Sequence, residues 1–149
     1  MILAGGIIFS ASYTNNTYQK LADEYSKKAQ NAFDAGEYQM AVEYSKKASE
    51  NAALSKAFID MMKSRGSAED QIKLAQNKLN WAESINAERN FPMAYTAAKE
   101  ALENAQSSFE KEDFTAAYDY ANQVIASLDG IREVTPLPEY FIVRPWAEP

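Results

Sequence analysis

From Tyr18 to Ile131 apolar residues recur with a helical period, and no stretch there shows the two-residue alternation of a half-buried strand. Leu21, Tyr25, Ala29, Ala32 and Phe33 share one face of a first predicted helix, from Thr17 to Asp34. Ala35-Gly36 should end it, because glycine takes positive φ just past a helix without strain. A second helix is predicted from Glu37 to Arg65, with Tyr38, Ala41, Tyr44, Ala48, Ala52, Phe58 and Met62 inward and Gly66 as its stop. Ser67-Ala-Glu-Asp70 then reads as a capping box, a hydroxyl and a carboxylate each satisfying a free N–H of the first turn. It opens a third helix to about Glu88, with Ile72, Ala75, Leu79, Ala82 and Ile85 inward and Trp81 packed beside them.

Asn90-Phe91-Pro92 is the next turn, with proline at the first helical position, where its missing N–H costs nothing. The fourth helix carries Ala94, Ala97, Ala98, Ala101, Ala105 and Phe109. Asp113 is a suitable N-cap for a fifth. That helix carries Phe114, Ala117, Ala121, Val124 and Leu128, and ends at Gly130 or just beyond. The expected fold is all-α: about five antiparallel helices joined by short turns.

The pattern also repeats. Ala29, Phe33, Tyr38, Ala41 and Tyr44 recur 76 residues later as Ala105, Phe109, Phe114, Ala117 and Tyr120 (105 − 29 = 76), with Ala48 and Val124 four residues further on. Alanine at the crossing lets two helices approach closely, and the aromatic after each turn packs back on the preceding helix. Both copies resemble the middle of the tetratricopeptide pattern, and Ala82, Phe91, Ala94 and Ala101 make a weaker third. The three post-turn aromatics Tyr38, Phe91 and Phe114 are spaced 53 and 23 residues apart, where a regular array needs about 34. The expectation is therefore an irregular tetratricopeptide-like array. The hexapeptide Glu-Tyr-Ser-Lys-Lys-Ala at 24–29 and again at 43–48 gives neighbouring helices the same amphipathic face.

Composition narrows the chemistry. Apolar content of 46% over 149 residues suits a globular domain, and a net charge of −6 argues against a binder of nucleic-acid phosphates. The chain has no His and no Cys, which removes the usual general base, the thiol nucleophile and the common transition-metal ligands. A Ser-x-x-Lys spacing at Ser108 and Lys111 lies at a polar helix end and reads as surface. Glu110, Glu112 and Asp113 cluster at one turn, where capping and solvation explain them better than a cation site, which would want many more oxygens. No catalytic residue, metal ligand or cofactor is expected, and the chain is expected not to be an enzyme.

The two ends differ from the helical region. Met1 to Phe9 is uncharged and apolar, followed by Ser10-Ala-Ser12, which resembles the end of a secretory signal lacking its basic start. Such a run is too short to cross a bilayer, which takes about 20 residues. At the other end Pro136, Pro138, Pro145 and Pro149 exclude a helix, and Tyr140-Phe-Ile-Val143 suits a strand. The expected organisation is an apolar leader over 1–12, a helical-repeat domain over 13–133 and, over 134–149, a Pro-rich linker or the start of a further domain.

Leu137-Pro-Glu-Tyr-Phe-Ile-Val-Arg-Pro-Trp146 resembles the lead-in to a LysM domain. With the Ala-rich helices before it, the chain is similar to spirochaete envelope proteins in which such a region precedes a LysM module. The resemblance implies a periplasmic, non-enzymatic protein held to peptidoglycan by a LysM domain beyond this chain. The sequence stops before the turn and helices of a LysM groove, so no glycan-binding residue carries over.

Aromatics are the remaining binding candidates. The chain has nine Tyr, and Tyr95, Tyr118 and Tyr120 cannot all face one core along with Phe114 and Ala117. Tyr suits peptide or glycan contacts, with an apolar body and a polar tip. Tyr25, Tyr44, Tyr95, Tyr118 and Tyr120 are the candidate partner-binding residues, for a protein or peptide in an aromatic-lined groove. Two readings follow: a spacer or interaction module of an exported envelope protein, or a receptor gripping an extended partner. In both, no nucleic acid is bound and the domain is not integral to a membrane.

Overall fold

The computed structural model describes residues 13–135. Five helices lie in that span: α1 (Thr17–Asp34), α2 (Tyr38–Ser84), α3 (Ala87–Asn90), α4 (Pro92–Glu110) and α5 (Phe114–Ser127). No strand occurs among the described residues, so the protein is all-α there. The apolar leader, the strand-like Tyr140–Val143 and the LysM-like stretch from Leu137 to Trp146 lie outside the described residues. The chain divides after Ser67 into two compact units, and α2 contributes residues to both.

The division into helices differs from the sequence expectation at two places: the predicted second and third helices are one, and the short α3 stands apart where the third helix is expected to run on to about Glu88. Gly66 does not stop the second helix, and Ser67 to Asp70 is not a cap; both lie inside the 47 residues of α2. The physical reason is that glycine inside a helix costs only about 1 kcal/mol relative to alanine and keeps its N–H. Proline breaks a helix, and the first one in the chain is Pro92. What ends α2 is Asn86, which takes the left-handed conformation (φ 59°) and returns its N–H to the Glu83 carbonyl at 3.0 Å. Asparagine is among the few residues that adopt this conformation readily.

In the first unit, α1 and the opening half of α2 form an antiparallel hairpin. Phe33 meets Tyr38 at the turn, Tyr25 meets Tyr44 midway, and Tyr18 meets Phe58 at the far end. Asn16 fixes that far end. Its side-chain oxygen accepts the Gln19 N–H at 2.9 Å, and its amide nitrogen donates to the Tyr13 carbonyl and to the buried Ser55 hydroxyl. Ala22, Ala32 and Ala41 are buried where the helices cross.

In the second unit, the closing part of α2 packs with α4 and α5. Ala75, Leu79, Ala82, Ile85, Tyr95, Ala98, Ala101, Leu102, Ala105, Ala121, Val124 and Leu128 form one core, extended by Ala87. Ala68, Phe114 and Ala117 form a second cluster, with Ile72 and Phe109 against it. Every position predicted to face inward on α5 does so. Trp81 does not: it is 38% exposed, one residue off the Leu79–Ala82 stripe, with the Lys78 ammonium 4.3 Å from its ring centre. Asp113 caps α5 as predicted, accepting the Ala116 N–H at 3.0 Å.

The 76-residue repeat is a structural repeat at the turns. Glu37 N–H donates to the Ala32 carbonyl at 2.8 Å and Gly36 N–H to the Phe33 carbonyl at 3.0 Å. In the second copy Asp113 N–H donates to Ser108 at 2.9 Å and Glu112 N–H to Phe109 at 3.0 Å. Both are Schellman caps, in which the last free carbonyls of a helix are satisfied by a residue at positive φ. That residue is Gly36 (φ 77°) in one copy and Glu112 (φ 60°) in the other.

Candidate functional site

The five candidate tyrosines fall in both units. Tyr25 and Tyr44 belong to the first; Tyr95, Tyr118 and Tyr120 belong to the second. The structure brings Tyr25 and Tyr44 together, their ring centres 6.1 Å apart and their planes 25° from parallel. They meet because Glu-Tyr-Ser-Lys-Lys-Ala occupies facing positions of an antiparallel pair, so each tyrosine finds its own counterpart. The same hexapeptide supplies cations. Lys28 and Lys47 hold their ammonium groups 5.4 Å and 5.5 Å from the Tyr25 ring centre, within the range where a cation is attracted to an aromatic face. Lys28 also pairs with Glu24 at 2.9 Å, and that hydrogen bond and charge raise its pKa above the ordinary lysine value. The result is a half-buried aromatic stack bordered by ammonium groups, suited to contacts with polar, anionic or planar groups.

Tyr95 has a structural place. It is buried in the second unit's core, and its hydroxyl donates to the Glu83 carboxylate at 2.9 Å. That bond first, then burial and the charges of Glu83 and Glu88, raise its pKa above the usual tyrosine value. Tyr120 lies half-buried against the same core, while Tyr118, 39% exposed, presents its ring outward.

A feature the tyrosine pattern did not point to is a groove of about 500 Å³ along the first hairpin. Ala29, Phe33, Ala41 and Ala48 line it, interleaved with Ser26, Ser45 and Ser49. Around it Phe33, Tyr38 and Val42 are 58%, 63% and 69% exposed. The helical period predicts Phe33 and Tyr38 inward. They do meet edge to face across the turn at 5.5 Å, but the pair is open. The signal for this groove is present in the sequence as serines at positions where the second copy has Leu102, Ala121 and Ile125.

Among the described residues, no cluster of three or more acidic side chains is placed to hold a metal ion, and no helix is long and apolar enough to cross a membrane.

Sequence comparison adds one relative. The chain is 30% identical over 137 residues to Treponemal membrane protein B of Treponema pallidum (strain Nichols). The alignment takes in 91% of this chain and 41% of that protein, so the chain spans about two fifths of the relative's length. The similarity to a spirochaete membrane protein fits an envelope protein in general terms. No family model and no solved structure matches the chain.

Proposed function

We propose that this chain is a non-enzymatic interaction or spacer module of an exported cell-envelope protein, built from repeated tetratricopeptide-like hairpins. The observation that carries the reading is the similarity to a treponemal membrane protein across 91% of the chain. Two further features support it. The chain lacks histidine and cysteine, the residues that most often carry acid–base and nucleophilic chemistry. Its first hairpin exposes Phe33, Tyr38, Met40, Val42 and Leu54, a concentration of apolar surface of the kind that marks interaction sites. Attachment to peptidoglycan, in this reading, belongs to a LysM module following the Leu137–Trp146 lead-in, and the helices provide reach or docking.

Co-sedimentation with purified bacterial sacculi tests the division of labour. Residues 13–149 should stay in the supernatant, and a form continuing into the following module should pellet. Pelleting of the short form would give wall binding to the helices themselves. Recovery of the native protein from the cytoplasmic fraction would sink the envelope reading altogether.

A further inference from the structure

The two hairpins share a spaced pattern of small and aromatic residues and the same turn hydrogen bonds, yet one has a helix lying on it and the other has a groove there. In the second unit, Ala68, Ile72, Ala75 and Leu79 of α2 form a stripe at helical spacing over α4 and α5. Beneath it Ala105, Ala117, Ala121 and Val124 are wholly buried and Leu102 nearly so. Subtracting 76 places Ala29, Ala41, Ser45, Ala48 and Ser26 at those same positions of the first hairpin. Those five residues are among the ones that line the groove. The groove is thus the first hairpin's version of a seat that this fold fills with an amphipathic helix.

We propose that the groove receives an amphipathic helix from a partner protein, with a stripe of small and branched apolar residues and a carboxylate on its edge. This rests on the interaction-module reading and names the partner's chemistry. Two observations define the occupant. First, serines replace Leu102, Ala121 and Ile125 in the first hairpin, so the seat is partly polar and tolerates being empty, as an exchangeable interface must. A permanently covered seat, like the second unit's, has apolar residues at these positions. Second, the covering helix of the second unit donates from Gln71 to Asn122 at 2.6 Å. Lys46 stands where Asn122 does (122 − 76 = 46) and is exposed. An ammonium there complements an acidic residue at the place of Gln71. Helix-in-groove binding of this kind is read through apolar anchors at i, i+3, i+4 and i+7, which is the spacing of the α2 stripe.

The probe is a helix-stapled peptide of residues 67–85 of this chain carrying Gln71→Glu, titrated by fluorescence anisotropy against the full 149-residue protein. Binding is expected with a dissociation constant on the order of 10 μM. Ser45→Arg and Ser49→Arg, both at exposed positions, should weaken it at least tenfold. Lys46→Glu should weaken it as well, and a second peptide that carries Gln71→Lys instead should restore binding to that variant. Met93→Arg, at an 87% exposed position of the second unit, should leave it unchanged. Absence of binding at 1 mM protein, or binding that ignores the arginine variants, overturns the proposal. So does a protein already dimeric by sedimentation whose dimer Ser45→Arg dissolves, because the occupant is then a second copy. Binding to residues 13–149 but not to the full chain overturns it too, by giving the seat to the chain's own first 12 residues. None of these outcomes bears on sacculus binding or cell fractionation, so the envelope reading stands or falls separately.

Discussion

Two hairpins with the same turn chemistry differ in what covers them. Phe109 and Phe114 meet edge to face at 5.2 Å, and Phe114 is 8% exposed under the closing part of α2. Phe33 and Tyr38 meet at 5.5 Å in the same manner, and Tyr38 is 63% exposed. The cap and the aromatic pair therefore shape the turn by themselves, and burial is a separate matter decided by a third helix. A repeat in sequence specifies a supersecondary unit; the energy that unit contributes depends on its neighbours.

The largest effect expected from this difference is between two truncations at one repeat position. Phe114→Ala removes a buried ring and leaves a cavity, and should cost about 3–5 kcal/mol in urea unfolding. Tyr38→Ala removes a ring that is mostly in water already and should cost less than about 1 kcal/mol. Equal costs would mean that the first hairpin's face is covered in solution, and the contrast between the copies would fail.

Next in size is the polar anchor that stands in the first unit where the second has core. Asn16 caps α1 and also holds the buried Ser55 hydroxyl at 2.9 Å. Asn16→Ala removes both roles and should destabilise the first unit by about 1–2 kcal/mol. Asn16→Asp keeps the cap but loses the donor to Ser55, and should fall between. If Asn16→Ala changes nothing, the hairpin is held by its alanine crossing alone.

Sequence pattern reached different depths in the two units for physical reasons. On α5 the inward set Phe114, Ala117, Ala121, Val124 and Leu128 is buried as the period predicts, because a helix on a filled core shows its full apolar stripe. On α1 and α2 the same stripe predicts Phe33, Tyr38 and Ala52 inward, and all three are exposed. Periodicity reveals which face is apolar and carries no information on whether a neighbour lies over it. Gly66 misleads within the fused α2 because a glycine stop and a tolerated interior glycine look alike without proline or a positive φ. Of the candidate tyrosines, Tyr25 and Tyr44 share a hexapeptide that marks a common helix face, and their stacking on each other emerges only from the antiparallel hairpin. Tyr95 was not legible as a core residue, since its hydroxyl is satisfied by Glu83 twelve positions earlier across a turn. The groove required seeing serine where the other copy has apolar residues, a difference between repeats rather than a feature of either.

The matching caps allow a smaller test. Gly36 and Glu112 occupy one left-handed position, and an added Cβ at Gly36 meets nothing within 4 Å. The cost of a side chain there is therefore backbone strain alone, about 1 kcal/mol for an L-residue in this region. Gly36→Ala should lose about that much, and Glu112→Gly should gain somewhat less, since glycine also frees the unfolded chain. Opposite signs of similar size, measured by thermal unfolding, would show that the two caps are interchangeable. A loss from Glu112→Gly would show that the Glu112 side chain has a role that Gly36 lacks.

The smallest effect separates the units by pH. Each has a polar tie, but only the second unit's can ionise: Tyr95 to Glu83 there, Asn16 to Ser55 in the first. The hydrogen bond to Glu83, with burial and the charges of Glu83 and Glu88, raises the Tyr95 pKa, so the folded protein favours the neutral phenol. The stability this supplies is present in full below the unfolded tyrosine value of about 10 and is lost as pH rises through the higher folded value. Between about pH 8 and pH 11 the second unit should therefore weaken more in the native protein than in Tyr95→Phe, which has no proton to lose. Identical alkaline losses would mean that the Tyr95–Glu83 bond contributes nothing to folding, and Tyr95 would then be held by packing alone.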